Sequence, residues 1–74
     1  MDIGTFYHLH DRLEIMAIKA GFTPEQAVDL AAYSIENAQN VDGFEISIEC
    51  AVATMDLYID EFDATIAMLT ELPY

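Results

Sequence analysis

The sequence predicts an all-α fold: a small three-helix bundle with a long C-terminal helix, four helices being the alternative division of the same pattern. Three observations lead there. Apolar residues recur every three or four positions along most of the 74 residues, the period of helices with one buried face. The run "TPEQ" at 23–26 reads as a helix start, since a threonine N-cap, a proline at the first helical position and a glutamine three residues after the cap satisfy the free N–H groups there. The one alternating run, "FEISIE" at 44–49, has no second alternating run to pair with, so a sheet is rejected.

Taken in order, Phe6, Leu9, Leu13, Met16, Ala17 and Ala20 share about a third of a helical circumference at ~100° per residue, which predicts a first helix over Thr5–Ala20. Gly21 stands where a left-handed C-terminal residue belongs. A second helix then runs from Pro24 to about Ala38, burying Val28, Ala31, Ala32 and Ile35 and exposing Glu25, Asp29 and Glu36 along one line. From Ile48 the apolar positions Ala51, Val52, Met55, Ile59, Phe62, Ile66 and Leu69 predict one helix of roughly 30 Å at ~1.5 Å per residue. Asp42 with Glu45, or else Ser47, is its expected N-cap, and "LPY" ends it. The pattern leaves open whether this helix continues straight past Asp60.

The chain is expected to form one domain over residues 1–74. Its net charge is −12, with Arg12 and Lys19 as the strong cations, yet 54% of its residues are hydrophobic. Acidic disordered chains lack that apolar content, so this one is expected to fold. Direct binding to nucleic acid or an anionic membrane would be opposed by Coulomb repulsion, which leaves partners with basic surfaces. A single cysteine, Cys50, cannot form an internal disulfide, and no zinc-type Cys/His spacing is present. A reducing cytoplasm is the expected compartment. The start "MDIGTFYHLHD" lacks the basic opening and apolar run of a signal peptide, and no apolar stretch reaches the ~18 residues of a membrane span. A soluble protein, complete as it stands, is the expectation.

Residue spacing bears on four kinds of chemistry. Aligning Gly43 with the central glycine of a calcium loop supplies Asn40, Asp42 and Glu49 as oxygen ligands, but puts Ala38 at the first ligand position and Glu45 where an apolar residue belongs. Calcium binding is therefore not expected. His10 and Glu14 have the four-residue spacing of ligands on one helical face, but His8 diverges from His10 by about 200° on a helix, which leaves no metal set. His8 instead aligns with Arg12 and Lys19, while His10 borders the core. No nucleophile–base constellation is recognisable, and chance carboxylate pairs among 14 acids carry no weight. Neither an enzyme nor a cofactor is expected.

The arrangement of acids says more. Glu45, Glu49, Asp56, Asp60 and Asp63 fall within about 60° of one another on the predicted third helix, and Glu49 to Asp63 extends about 21 Å. Like charges at such spacings destabilise a helix, and no lysines are interspersed to relieve them. Such a ridge suits a groove lined with Lys and Arg that otherwise holds phosphates, and Glu25, Asp29 and Glu36 would widen the negative surface. About 160° away by the same angular count, Cys50, Ala53, Leu57, Ala64 and Met68 form a second apolar stripe. Together with Tyr58, the residues Cys50, Leu57 and Met68 are the candidate apolar interface, for self-association or a target.

In size, charge and Glu/Asp-lined helices, the chain resembles the small acidic inhibitors encoded by phages and mobile elements, the anti-CRISPR and DNA-mimic class. That resemblance rests on no diagnostic motif and carries no residue-level assignment. It implies stoichiometric binding to a nucleic-acid-handling effector, in the cytoplasm of a bacterial host. The alternative expectation is a small helical homodimer acting as a regulatory or adaptor module, whose acids confer only solubility.

Overall fold

A computed structural model describes residues 3–39 and 46–71. Among these the chain is all-helical, with α1 spanning Ile3–Ala20, α2 Pro24–Asn37, α3 Ile48–Asp60 and α4 Phe62–Thr70. The predicted N-cap residues Asp42 and Glu45, the calcium-loop residues Asn40 and Gly43, and the terminal "LPY" lie outside the described residues.

The α1–α2 hairpin follows from local chemistry. Gly21 adopts φ 116°, a backbone region that side chains with a Cβ avoid. Around it the Phe22 N–H donates to the Ala17 carbonyl and the Gly21 N–H to the Ile18 carbonyl, each at 3.1 Å, the two bonds of a Schellman stop. Two residues on, the Thr23 side chain accepts from the Gln26 N–H at 3.2 Å and the Gln26 side chain accepts from the Thr23 N–H at 2.9 Å. This is the reciprocal capping box expected from "TPEQ".

α1 packs on α2, and both pack on α3. Leu9, Leu13 and Ala17 form the buried stripe of α1, flanked by the half-buried Phe6, Met16 and Ala20, as expected. On α2 the expected core is shifted. Ala27, Leu30, Ala31, Ser34 and Ile35 are buried, whereas Val28 is 45% exposed and Ala32 is also exposed. The reason is geometric: α2 faces α1 and α3 together, so its buried arc centres on Leu30, Ala27 and Ala31. Val28 and Ala32 are left on the outer edge of the α1–α2 seam.

The long C-terminal helix is the larger correction. It is two helices, so the described chain has four, and the break falls at Glu61, with φ −104° and ψ 50°. Glu61 is at once the last cap of α3 and the first cap of α4, and its side chain caps nothing. The cause is tertiary. Thr65, 4% exposed, donates its hydroxyl to the Tyr58 carbonyl at 3.0 Å, and a side chain inserted into the helical ladder is a known source of kinks. The redirected chain lays the Phe62 ring on Phe22, centroids 4.5 Å apart, over the α1–α2 turn. The apolar periodicity persists through the break, with Ala51, Met55 and Leu69 buried and Val52, Ile59, Phe62 and Ile66 half-buried.

The start of α3 is the Ser47 cap foreseen as one option: its Oγ accepts from the Cys50 N–H at 3.2 Å. Just before it, Gln39 and Ile46 form an isolated antiparallel bridge, and Ser47 N–H donates to the Ala38 carbonyl at 3.1 Å. Among the described residues this bridge does not extend into a strand.

Candidate functional site

α3 positions the acidic residues. Glu49, Asp56 and Asp60 occupy one side of it and all are exposed; at ~100° per residue they lie within about 40° of each other. At ~1.5 Å per residue along the axis, this row is about 17 Å long. Asp63 is also exposed but belongs to α4, beyond the break, so the straight ridge expected to reach it ends at Asp60. Glu45 lies outside the described residues. α3 and α4 contain no Lys, Arg or His, since both strong cations are on α1.

The second acidic line runs along α2, with Glu25 and Glu36 exposed and Asp29 half-buried. Glu25 and Asp29 border a small concavity of about 210 Å³ closed by Leu69 and Thr70 of α4. Glu36, toward the other end of α2, lies on the rim of two larger grooves. One of these, about 340 Å³, runs between α2 and the α3–α4 arm and is lined by Tyr33, Asn37, Tyr58 and Met68 as well as Glu36. It takes in two of the four expected interface residues. Tyr58 is half-buried there, and burial raises its phenolic pKa above 10.0; nearby Tyr33 adds to the rise, while hydrogen bonding with Asn37 opposes it. The phenol is thus uncharged at ordinary pH. The other two interface residues face outward: Leu57 is 62% exposed and Cys50 is exposed. With Ala53, Ala64 and Met68 also exposed, the second apolar stripe is uncovered on both helices.

The groove that spacing alone did not reveal lies along the α1–α2 seam. Phe6, Tyr7 and His10 of α1 face Ala32, Ile35 and Glu36 of α2 across about 420 Å³, with Gln39 at one end. His10 Nδ1 and Glu14 Oε2 are 3.0 Å apart at its wall, satisfying each other. The signal was present in the sequence. Ile3, Tyr7 and Ile18 share a face of α1 outside its core stripe, but placing Val28 and Ala32 in the core concealed the facing wall.

On the opposite side of α1, His8 and Arg12 border a shallow concavity with Thr5, Leu9 and Ile48. Among the described residues no group of three His, Cys, Asp or Glu side chains is placed to hold a metal ion. No described helix is long and apolar enough to cross a membrane.

This geometry defines an acidic protein whose described residues are all-helical and carry open grooves between the helices. No protein-family model matches the chain, and comparisons with curated proteins and with solved structures find no match.

Proposed function

We propose that this chain is an acidic binding protein that occupies a basic groove of a nucleic-acid-handling effector and blocks nucleic acid there, one molecule per site. The supporting observation is the face of α3: Glu49, Asp56 and Asp60 exposed in a row, on a helix with no cation of its own. Asp56 and Asp60, four residues apart, repel each other by about a few tenths of a kcal/mol. A partner rich in Lys and Arg would convert that repulsion into attraction. The row offers three carboxylates over about 17 Å, sparser than phosphates at ~3.4 Å per strand, so it imitates DNA in part. The exposed Leu57, one residue from Asp56, supplies an apolar contact insensitive to salt.

The test starts by recovering partners of the tagged chain from a bacterial lysate. The recovered protein's affinity for duplex DNA is then measured with and without added chain at several salt concentrations. Stoichiometric loss of DNA binding is expected, weakening as salt rises. Changing Glu49 to Gln together with Asp56 and Asp60 to Asn should weaken the inhibition; unchanged affinity for the partner would overturn the proposal.

A second reading is favoured by the uncovered stripe. Leu57 at 62% and Met68 at 37% exposure, beside Tyr58, suit the self-interface of a homodimeric adaptor. Sedimentation at micromolar concentration decides this: the adaptor reading requires a dimer that Leu57→Gln dissociates.

A further inference from the structure

We infer that the α1–α2 seam is a second docking surface, built to receive a basic amphipathic helix of a partner protein. This goes beyond the acidic face of α3 and does not depend on it. The groove is open to solvent, with Phe6, Tyr7, Ala32 and Ile35 as its apolar surface. On the arc of α1 that carries Tyr7, Ile3 and Ile18 are 72% and 46% exposed, and Val28, one turn before Ala32 on α2, is 45% exposed. The apolar surface therefore extends along the helix axes beyond a compact pocket. An apolar trough between two antiparallel helices is the complement of one face of a third helix, read as side chains at i, i+3, i+4 and i+7.

Charge selects the occupant. At ~100° per residue, Asp11 and Glu14 lie on the same arc of α1 as Ile3, Tyr7 and Ile18. Glu36 stands on the facing wall, and Glu14 reaches the α1 wall through its contact with His10, so two carboxylates edge the apolar trough. Arg12 and Lys19 are centred about 130° away around α1, on the side where Arg12 meets Ile48 of α3. The one basic group at the trough, His10, is held by Glu14. An apolar trough edged by acids and cleared of lysine and arginine complements a helix with one apolar face and Lys or Arg on its flanks. A second copy of this chain is a poor occupant, because a two-fold contact would bring the acidic edge formed by Glu14 and Glu36 against the same edge of its twin. An anionic membrane is repelled by the same charges.

The probe is a synthetic 14-residue peptide with leucines at i, i+3, i+4 and i+7 and lysines on the flanks, added to the full chain labelled with ¹⁵N. The control is the same composition in scrambled order, which keeps the charge and removes the apolar face. Amide shifts should concentrate at Tyr7, His10, Ala32 and Gln39, and the ordered peptide should bind at least tenfold more tightly than the scrambled one. Ala32→Gln, at an exposed position compatible with a helix, should reduce that affinity about tenfold, while Leu57→Gln on the far face leaves it unchanged. Glu14→Gln with Glu36→Gln should flatten the salt dependence of binding. Equal binding of the scrambled peptide, or shifts confined to Glu49, Asp56 and Asp60, would mean attraction by charge alone and overturn the inference. So would a dimer of the free chain that Ala32→Gln dissociates. Because the readout lies on α1 and α2, it can fail while inhibition through α3 succeeds, and the reverse.

Discussion

Two connections turn one described helix directly into the next: Gly21–Thr23 between α1 and α2, and Glu61 between α3 and α4. At the first, backbone and side-chain caps satisfy both helix ends within a few residues of the turn. At the second, the turning residue has neither a positive φ nor a capping side chain, and the group that holds the bend is Thr65, seven residues along from the carbonyl it binds. The hairpin would be expected to form from its own sequence. The bend depends on the rest of the fold, since Phe62 must find Phe22 and Thr65 must be buried. The same contrast extends to the surface, for the α1–α2 pair encloses most of the core while the α3–α4 arm carries the uncovered stripe.

The sharpest way to break this comparison is to delete equivalent side chains on either side of it. Leu30 is fully buried and Leu57 is 62% exposed. Leu30→Ala leaves a cavity and should cost about 2–5 kcal/mol, against a total stability on the order of 4–11 kcal/mol for a domain of this size. Leu57→Ala should change stability by less than about 0.5 kcal/mol. Urea unfolding of both variants checks this. A large loss at Leu57 would mean the stripe is covered in solution, as the dimer reading requires.

A middle-sized effect is expected at the bend. Thr65→Val keeps the shape of the side chain but removes its hydroxyl, leaving the Tyr58 carbonyl without that donor, at a cost of about 1–3 kcal/mol. The expected loss comes with structural change: Phe62 should withdraw from Phe22, visible as altered ring shifts of Phe22 in the NMR spectrum. If Thr65→Val folds with full stability and an unchanged Phe22 environment, the hydroxyl does not hold the bend.

How legible each region was follows from these mechanisms. Gly21, Thr23, Pro24 and Gln26 act on neighbours within four residues, so their spacing reads directly as a helix stop and start. Leu9, Leu13 and Ala17 were equally plain, because α1 has one buried face. On α2 periodicity gives the width of an apolar arc but not its centre when two partners share a helix, so Val28 and Ala32 look like core in the sequence and the seam groove stays hidden with them. At Glu61 the apolar spacing runs on without interruption through Ile59, Phe62 and Ile66, so a pattern of local spacing had nothing to register. The threonine responsible looks like any other helical threonine until its partner is seen. The exposure of Glu49, Asp56 and Asp60 was legible from angle alone, whereas the placing of Asp63 failed with the bend.

The smallest effect tests how closely the α3–α4 arm rests on α2. Tyr58 lies in the groove between them, where burial raises its pKa above 10.0, with Tyr33 adding to the rise and Asn37 opposing it. The folded chain therefore holds the phenolic proton more tightly than the unfolded chain does. That contribution is complete below the unfolded value and is lost as pH climbs through the raised folded value, so stability should fall with pH in a window opening near 10.0. Over about pH 9 to 11, the unmodified chain should lose stability more steeply than Tyr58→Phe, which has no proton to lose. Tyr7→Phe, at a tyrosine 60% exposed, should leave the slope unchanged and so separates burial from tyrosine content. Parallel slopes for the unmodified chain and Tyr58→Phe would mean that water reaches Tyr58 freely. The arm would then stand further from α2 than the hairpin's two helices stand from each other, and the groove lined by Tyr33 and Met68 would be wider in solution.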